Sequence, residues 1–408
     1  MIGMQESTKQ LIEEAGYYEG VQYIPEVEKL TKEMKETIVK TTMTIEEIKA
    51  LVKYHYQIQD FRKAFNEQIR SIKQRVDPKI KMSNITLQVL ELYLKNLRAF
   101  EKESEKCLLK VAESREEGRW LLGIRGVGPA LSAGCLAYFD VKGRQYATQF
   151  ISYAGLNDNN RPWLGTEKSR AIVNEAIYDY SGDGKLNDDV ILAVSAKSQW
   201  KMDHLLKYGT DKKGNFTKEQ LIKAIARVPY NRDVKKMMWK FGAEMAYNKK
   251  KPDSVYGKLL FDREAMEMRK NEEGKFAYRA KQHLEEGKKL NAEHKKLYEQ
   301  GKLPLGEIHA RCNRWVEKIF LSHLFEEMYR VENDTLPPRY FVFDHCEGHH
   351  DNIAPEVPYT LVTSEKEELY GDARRYIDSD NYVEARKILE RIKDYKDASS
   401  LIIKMDNE

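Results

Sequence analysis

The chain has 408 residues, enough for several domains and a sizeable core. Charged residues make up 33% of it, and its longest apolar stretches, such as 131–139, are far too short to cross a bilayer, so a membrane-embedded protein is excluded. Lys and Arg total 69 against 65 Asp and Glu, so the net charge of +4 does not by itself select an acidic partner. Its distribution is more informative. Residues 364–408 hold 9 basic and 12 acidic side chains, a net of −3 that leaves +7 on the rest. A mildly basic body with an acidic tail permits nucleic-acid contact without demanding it. The four cysteines, Cys107, Cys135, Cys312 and Cys346, form no C-x-x-C pair. They read as reduced thiols, and the opening MIGMQESTKQ lacks an apolar signal core, so a cytoplasmic location is expected.

Residues 1–118 read as a helical arm. Thr44 followed by Glu47 is a capping box that opens a long helix. Its heptad rows are Ile48, His55, Arg62, Ile69, Val76 and Leu51, Ile58, Phe65, Ile72. Asp77-Pro78 breaks the pattern. A second helix opens near Ser83, with rows Leu87, Leu94, Glu101, Leu108 and Leu90, Leu97, Ser104, Val111. Two seams joined by a short turn predict an antiparallel helical hairpin or a coiled-coil arm of a homodimer, and the pattern leaves both open. Arg62, Glu101 and Ser104 interrupt the seams.

Residues 119–330 read as a helical body in which glycine becomes frequent and the heptads stop. Within it, 161–228 forms an insertion with two turn-rich segments, SGDGKLNDD and GTDKKGNFTKEQ. Residues 331–362 contain Pro337, Pro338, Pro355 and Pro358 and read as an extended linker. Residues 363–408 read as a small helical tail. Tyr382, Ala385, Leu389, Tyr395 and Ala398 have the spacing of tetratricopeptide-like helix pairs, which need a neighbour to cover their open face. The expected fold class is mainly α.

The segment WLLGIRGVGPALSAGCLAYFD, residues 120–140, carries the functional argument. Trp120, Leu121 and Ile124 end one helix, Gly126-Val127-Gly128 makes a tight bend, and Pro129 suits the first position of the next helix. Ala130, Ala133 and Ala137 are small enough for close helix packing. Glycines let a phosphate approach the backbone, and the free N–H groups and dipole at a helix start attract it. Such a site grips DNA without reading a base. Arg125, Gly126, Val127 and Gly128 are therefore candidate contacts, with Lys142 and Arg144 adding counterion-releasing charge. The reading requires the bend's amides to face solvent.

The pattern resembles the helix-hairpin-helix motif. Taken with QFISYAGLN, it is similar to the C-terminal transposase domain of the DEDD-type insertion-sequence transposases, which a bridge RNA guides. Gly123, Gly126 and Gly128, then Phe150, Tyr153, Ala154, Gly155 and Leu156, carry that resemblance, and the heptad helices match a coiled coil that precedes the domain in the family. PYNRDVKKMMWKFG, SVYGKLLFDREAMEMRKNEEGKFA and LPLGEIHARCNRWVEKIFLSHL resemble related proteins of phages and integrative elements. The resemblance covers roughly 120–160 and 229–330. It implies DNA handling in a bacterial host cell, with RNA as a second candidate partner. The family's RNase-H-like domain has no counterpart in 1–118, and its serine-bearing loop reads NDNNRPWLGTEKS here, where Thr166 and Ser169 lie nearby. Ser169 is the candidate nucleophile, with no base to activate it at motif spacing.

Two further basic groups join the interface. One is Arg232, Lys235 and Lys236 beside Met238 and Trp239; the other is the stripe Arg311, Arg314, Lys318, opposite a core stripe of Ile308, Cys312, Trp315 and Ile319. DYSGDGKLNDDV resembles a calcium loop at Asp179, Ser181, Asp183 and Gly184, but its twelfth residue is Val190 in place of Glu. In GTDKKGNFTKEQ, Glu219 stands one place early, and Thr217 with Gln220 reads better as a capping box. HCEGHHD offers Cys346 and His349 at a metal-like spacing without a second pair, so no cofactor is expected. Three functions follow: a non-catalytic DNA-binding protein of a phage or mobile element, which the pattern favours; a transposase-like enzyme using Ser169; or a module, such as a phage counter-defence factor, that docks a host protein.

Overall fold

The computed structural model describes residues 43–75, 85–157, 163–182, 184–286, 290–338 and 353–407. Seventeen helices and no strand lie among them, and one isolated bridge joins Thr210 to Phe216. The chain is mainly α, as its composition and periodicity predict. None of the described helices is long and apolar enough to cross a membrane.

Two compact units are present. The first holds residues 1–145, 247–258 and 323–408, and the second holds 146–246 and 259–322. Arm, bend and tail thus share one unit, and the units cut across the 119–330 segment.

In the first unit, α1 (Ile45–Arg75) opens on the expected capping box. The Glu47 amide donates to Thr44 Oγ1 at 3.3 Å, and Glu47 Oε2 accepts from the Thr44 amide at 2.8 Å. α2 (Ile85–Glu113) lies antiparallel to α1, because partner numbers fall along α2 as they rise along α1: His55 with Ser104, Arg62 with Glu101, Lys73 with Glu91. The antiparallel helical hairpin is thus present within the chain. The polar residues that interrupt the heptads face one another. Arg62 grips Glu101, which also accepts from Gln59 at 3.2 Å, and His55 Nδ1 meets Ser104 Oγ at 2.8 Å. Partnered polar groups hold a helix register at little net cost, whereas unpaired ones would not.

α3 (Glu116–Gly123) and α4 (Pro129–Tyr138) follow. Ala133 and Ala137 of α4 sit in one core with Ile48, Val52, Leu108 and Val111, so the small residues permit the close packing expected of them. The tail consists of α15 (Thr363–Asp378), α16 (Tyr382–Arg391) and α17 (Ala398–Asn407). Ala373, Leu389, Ile392, Ala398 and Leu401 form its core. Of the tetratricopeptide-like positions, Ala385, Leu389 and Ala398 are buried and Tyr382 is 41% exposed.

The second unit begins with the short helix α5 (Thr148–Tyr153). Its A-G-L sequence forms a helix stop. Gly155 has φ +69°, its amide donates to Ser152 O, and the Leu156 amide donates to Ile151 O. This pair of bonds is the Schellman cap, which places a glycine at the left-handed position. The 161–228 segment contributes α6 (Gly165–Tyr180), α7 (Asp188–Ser198), α8 (Met202–Tyr208) and α9 (Lys218–Ile225) around Val173, Val190, Leu205, Leu221 and Ile225. Asn187 and Thr217 cap α7 and α9 by accepting the amides of Val190 and Gln220. The chain continues through α10 (Arg232–Asn248), α11 (Val255–Glu272), α12 (Ala277–Glu285), α13 (Ala292–Glu299) and α14 (Leu305–Asn333). α10 buries Val234, Met237, Met238, Phe241 and Met245, and Phe241 stacks on Phe320 of α14 at 4.1 Å. From the expected core stripe on α14, Ile308 and Cys312 are buried, while Trp315 and Ile319 are half-buried.

Candidate nucleic-acid interface

The bend at 124–128 is built by two local rules. The Val127 amide donates to Ile124 O at 3.0 Å, closing a four-residue turn whose third residue, Gly126, has φ +86°. A turn with a positive φ at that place requires glycine. Gly126 is thus explained by the turn itself. Gly128, by contrast, has φ −86° and ψ 178°, ordinary extended backbone, and precedes Pro129 as the N-cap of α4. What Gly128 provides is space: a Cβ built there meets nothing within 4 Å.

The amides of the bend divide into used and unused. Val127 is 4% exposed and its N–H is spent on Ile124 O, so it is corrected from a phosphate contact to a turn and core residue. The Arg125 amide donates to Glu356 Oε1 at 2.7 Å. The amides of Gly128 and Ala130 donate to no protein acceptor among the described residues, and Gly128 is exposed. These two N–H groups stand at the positive end of a ten-residue helix.

The cations near the bend are partly committed. The Arg125 guanidinium pairs with Asp253, and Lys142 Nζ lies 3.3 Å from Glu332. Both pairs are exposed and therefore exchangeable at little cost. The Arg144 amide donates to Val141 O at 2.9 Å, and its side chain is half-buried.

Residues 353–360 cross this region as an irregular strap within the first unit. Trp120 Nε1 donates to Val357 O at 2.9 Å, and the Trp120 ring stacks on Tyr359 at 6.3 Å. Gly123 makes room for Val357, whose Cγ2 would lie 3.0 Å from a Cβ there. His323 Nε2 lies 2.8 Å from Ile353 O, and its Nδ1 lies 2.8 Å from the Tyr256 hydroxyl. Burial holds His323 neutral, lowering its pKa to about 4. The Tyr359 hydroxyl donates to Glu326, and the Thr360 amide donates to Glu327 Oε2 at 2.8 Å.

The remaining expected contacts lie in the second unit. Arg232, Lys235 and Trp239 share the exposed face of α10, with Trp239 65% exposed. Lys235 Nζ sits 4.2 Å above the Tyr230 ring. Lys235 and Arg314 are the cations felt by the buried Glu317 carboxyl, which ties these two predicted residues to one locality. The stripe on α14 is broken, however. Arg311 turns to Glu267, with Nε 3.5 Å from Oε2, and stacks over Phe276; Arg263 and Lys270 also reach Glu267. Arg311 is therefore corrected to a partner of a buried carboxylate, which is 2% exposed. Arg314 is exposed and Lys318 half-buried. An exposed tryptophan on a basic helix face is a feature that charge spacing alone does not rank, although its bases-stacking chemistry suits nucleic acid.

Ser169 is 0% exposed on α6 and donates to Gly165 O at 2.5 Å. A buried hydroxyl bonded to its own helix has no route to a substrate, so the candidate nucleophile reads as a helix residue. In the calcium-like loop, Lys197 Nζ lies 3.0 Å from Asp179 Oδ2 and 2.9 Å from Glu175 Oε1. A lysine ammonium thus holds the carboxylate that would lead a cation set. Asp183, Cys346 and His349 lie outside the described residues. Among the described residues no group of three or more His, Cys, Asp or Glu could hold a metal, and Cys107, Cys135 and Cys312 are buried. Compared with family models, curated proteins and solved structures, the chain matches none.

Proposed function

We propose that this chain binds the phosphate backbone of DNA through the bend at 126–130, without reading base sequence, as a protein of a phage or mobile genetic element. The observation that carries the reading is the pair of amides, Gly128 and Ala130, that meet no acceptor among the described residues at the start of α4, where Gly128 is exposed. Amides at a helix start bind phosphate oxygens by hydrogen bonding and by the dipole together. The exposed Arg232, Lys235 and Arg314 supply sequence-independent attraction in the second unit. The resemblance of 120–160 to a transposase helix-hairpin-helix supports the biological setting.

The test uses labelled duplexes of two unrelated sequences and a salt titration from about 50 to about 200 mM. Both duplexes should bind alike, and affinity should fall steeply with salt. Gly128→Val is the decisive variant. A Cβ at 128 meets no protein atom within 4 Å, so the added side chain stands where a phosphate would approach from solvent. Binding should weaken at least about tenfold, while Arg314→Glu should lower the salt slope by about 1. Gly128→Val binding as tightly as the parent protein rejects the reading.

A further inference from the structure

The strap places one carboxylate across the amide of a turn residue and the amide of a helix start. Glu356 Oε1 accepts the Arg125 amide at 2.7 Å, and Oε2 accepts the Tyr256 amide at 3.1 Å. Arg125 leads into the bend before α4, and Tyr256 lies in the first turn of the 18-residue α11. The next amide of α11, Gly257, is already taken by Ser254 Oγ at 3.1 Å. The Tyr256 N–H is thus directed to the carboxylate by an ordered, capped helix start. The strap backbone is fixed on either side of Glu356, by His323 at Ile353 and by Trp120 at Val357. Glu356, itself half-buried, is thus presented to these amides by a strap tied down on both sides, and it covers the amide of the fully buried Tyr256.

A carboxylate bridging two backbone N–H groups has the charge and the acceptor geometry of two oxygens of a phosphodiester. We infer that the Arg125 and Tyr256 amides form an anion site for a DNA backbone phosphate, and that Glu356 occupies it in the unliganded protein as an internal competitor. This rests on the backbone-binding reading above and names how that site is regulated. Two consequences follow from the charges. The phosphate must displace Glu356, and while Glu356 remains nearby it repels the phosphates that approach Gly128. Asp253, paired with the Arg125 guanidinium, adds a second negative group at the same place. The bend is thereby tuned to bind only where several phosphates engage at once.

The test compares the full-length parent with Glu356→Gln and Glu356→Ala, using a labelled duplex of about 30 base pairs at fixed salt. Both variants should bind roughly five- to tenfold more tightly, as expected when one like charge leaves the vicinity of a phosphate. Adding Gly128→Val should abolish the gain. Hydrogen exchange supplies an independent readout. The Arg125 and Tyr256 amides should exchange faster in free Glu356→Ala than in the parent, and the duplex should restore their protection. Equal or weaker binding by both variants overturns the internal-competitor role while leaving the parent's salt-sensitive binding, and so the reading beneath it, intact. Failure of all three proteins to bind overturns both. Binding by the variants alone supports both.

Discussion

Glu317 gives the sharpest physical test of the second unit. It lies on α14 against Gly242 of α10: a Cβ at 242 would fall 2.5 Å from Glu317 Oε1 and 3.3 Å from Asn313 Cβ. The carboxyl is 4% exposed. Burial pushes its pKa from 4.5 up to about 8, against the opposing pull of Arg314 and Lys235. The sign follows from linkage. Below pH 4.5 the group is protonated in both folded and unfolded chains and costs nothing. Between 4.5 and about 8 the unfolded chain ionises and the folded one does not, so stability falls as pH rises. Above about 8 the loss is complete. The full shift corresponds to about 5 kcal/mol, as an order of magnitude. Glu317→Gln keeps the shape and removes the titration. Urea unfolding of both proteins at about pH 5, 7 and 9 isolates this group, because every other titration is common to the pair and cancels. The variant should differ little from the parent at the lowest pH and should gain several kcal/mol on it at the highest. Parallel pH profiles, agreeing within about 1 kcal/mol, would refute the assignment of a neutral buried acid.

Three further outcomes are expected. Gly155→Ala forces a left-handed φ of +69° on alanine and sets its Cβ 2.5 Å from Tyr230 Cγ, so it should cost more than about 2 kcal/mol and lower Tm, with Tyr230→Ala restoring only the steric part. Arg62→Met strands Glu101, whose side chain is 18% exposed, and should cost about 2–3 kcal/mol in urea unfolding; Arg62→Met with Glu101→Leu should recover most of that, and a double variant as unstable as the single would show that the pair is not what matters. His323 is held neutral by burial, so its share of stability is present above pH 6.5 and lost as pH falls through about 4. That loss should approach about 3 kcal/mol, and an acid transition unchanged in His323→Gln would remove His323 from it.

Much of the local structure was legible. The Thr44–Glu47 box, the two heptad helices, the bend closed by Gly126 and the helix started by Pro129 each depend on residues within a few positions of one another. The candidate interface was legible only in outline. Arg125, Lys142 and Arg311 are cations by sequence, but Asp253, Glu332 and Glu267, which hold them, are 128, 190 and 44 positions away along the chain. Val127 looked like part of an open loop and is core, because its amide and side chain both turn inward. Nothing in the spacing of Pro355 and Pro358 announces that Glu356, one of the two residues between them, reaches the bend.

The order of amino acids alone determined that this chain is helical, where several helices begin and stop, and which bend carries glycine. These are short-range matters of periodicity, capping and backbone freedom, settled within one or two turns. Tertiary structure decided which charges stay available and which are spent. Whether a lysine, an arginine or an amide meets solvent or an internal carboxylate depends on contacts between residues far apart in sequence, and no local pattern encodes them.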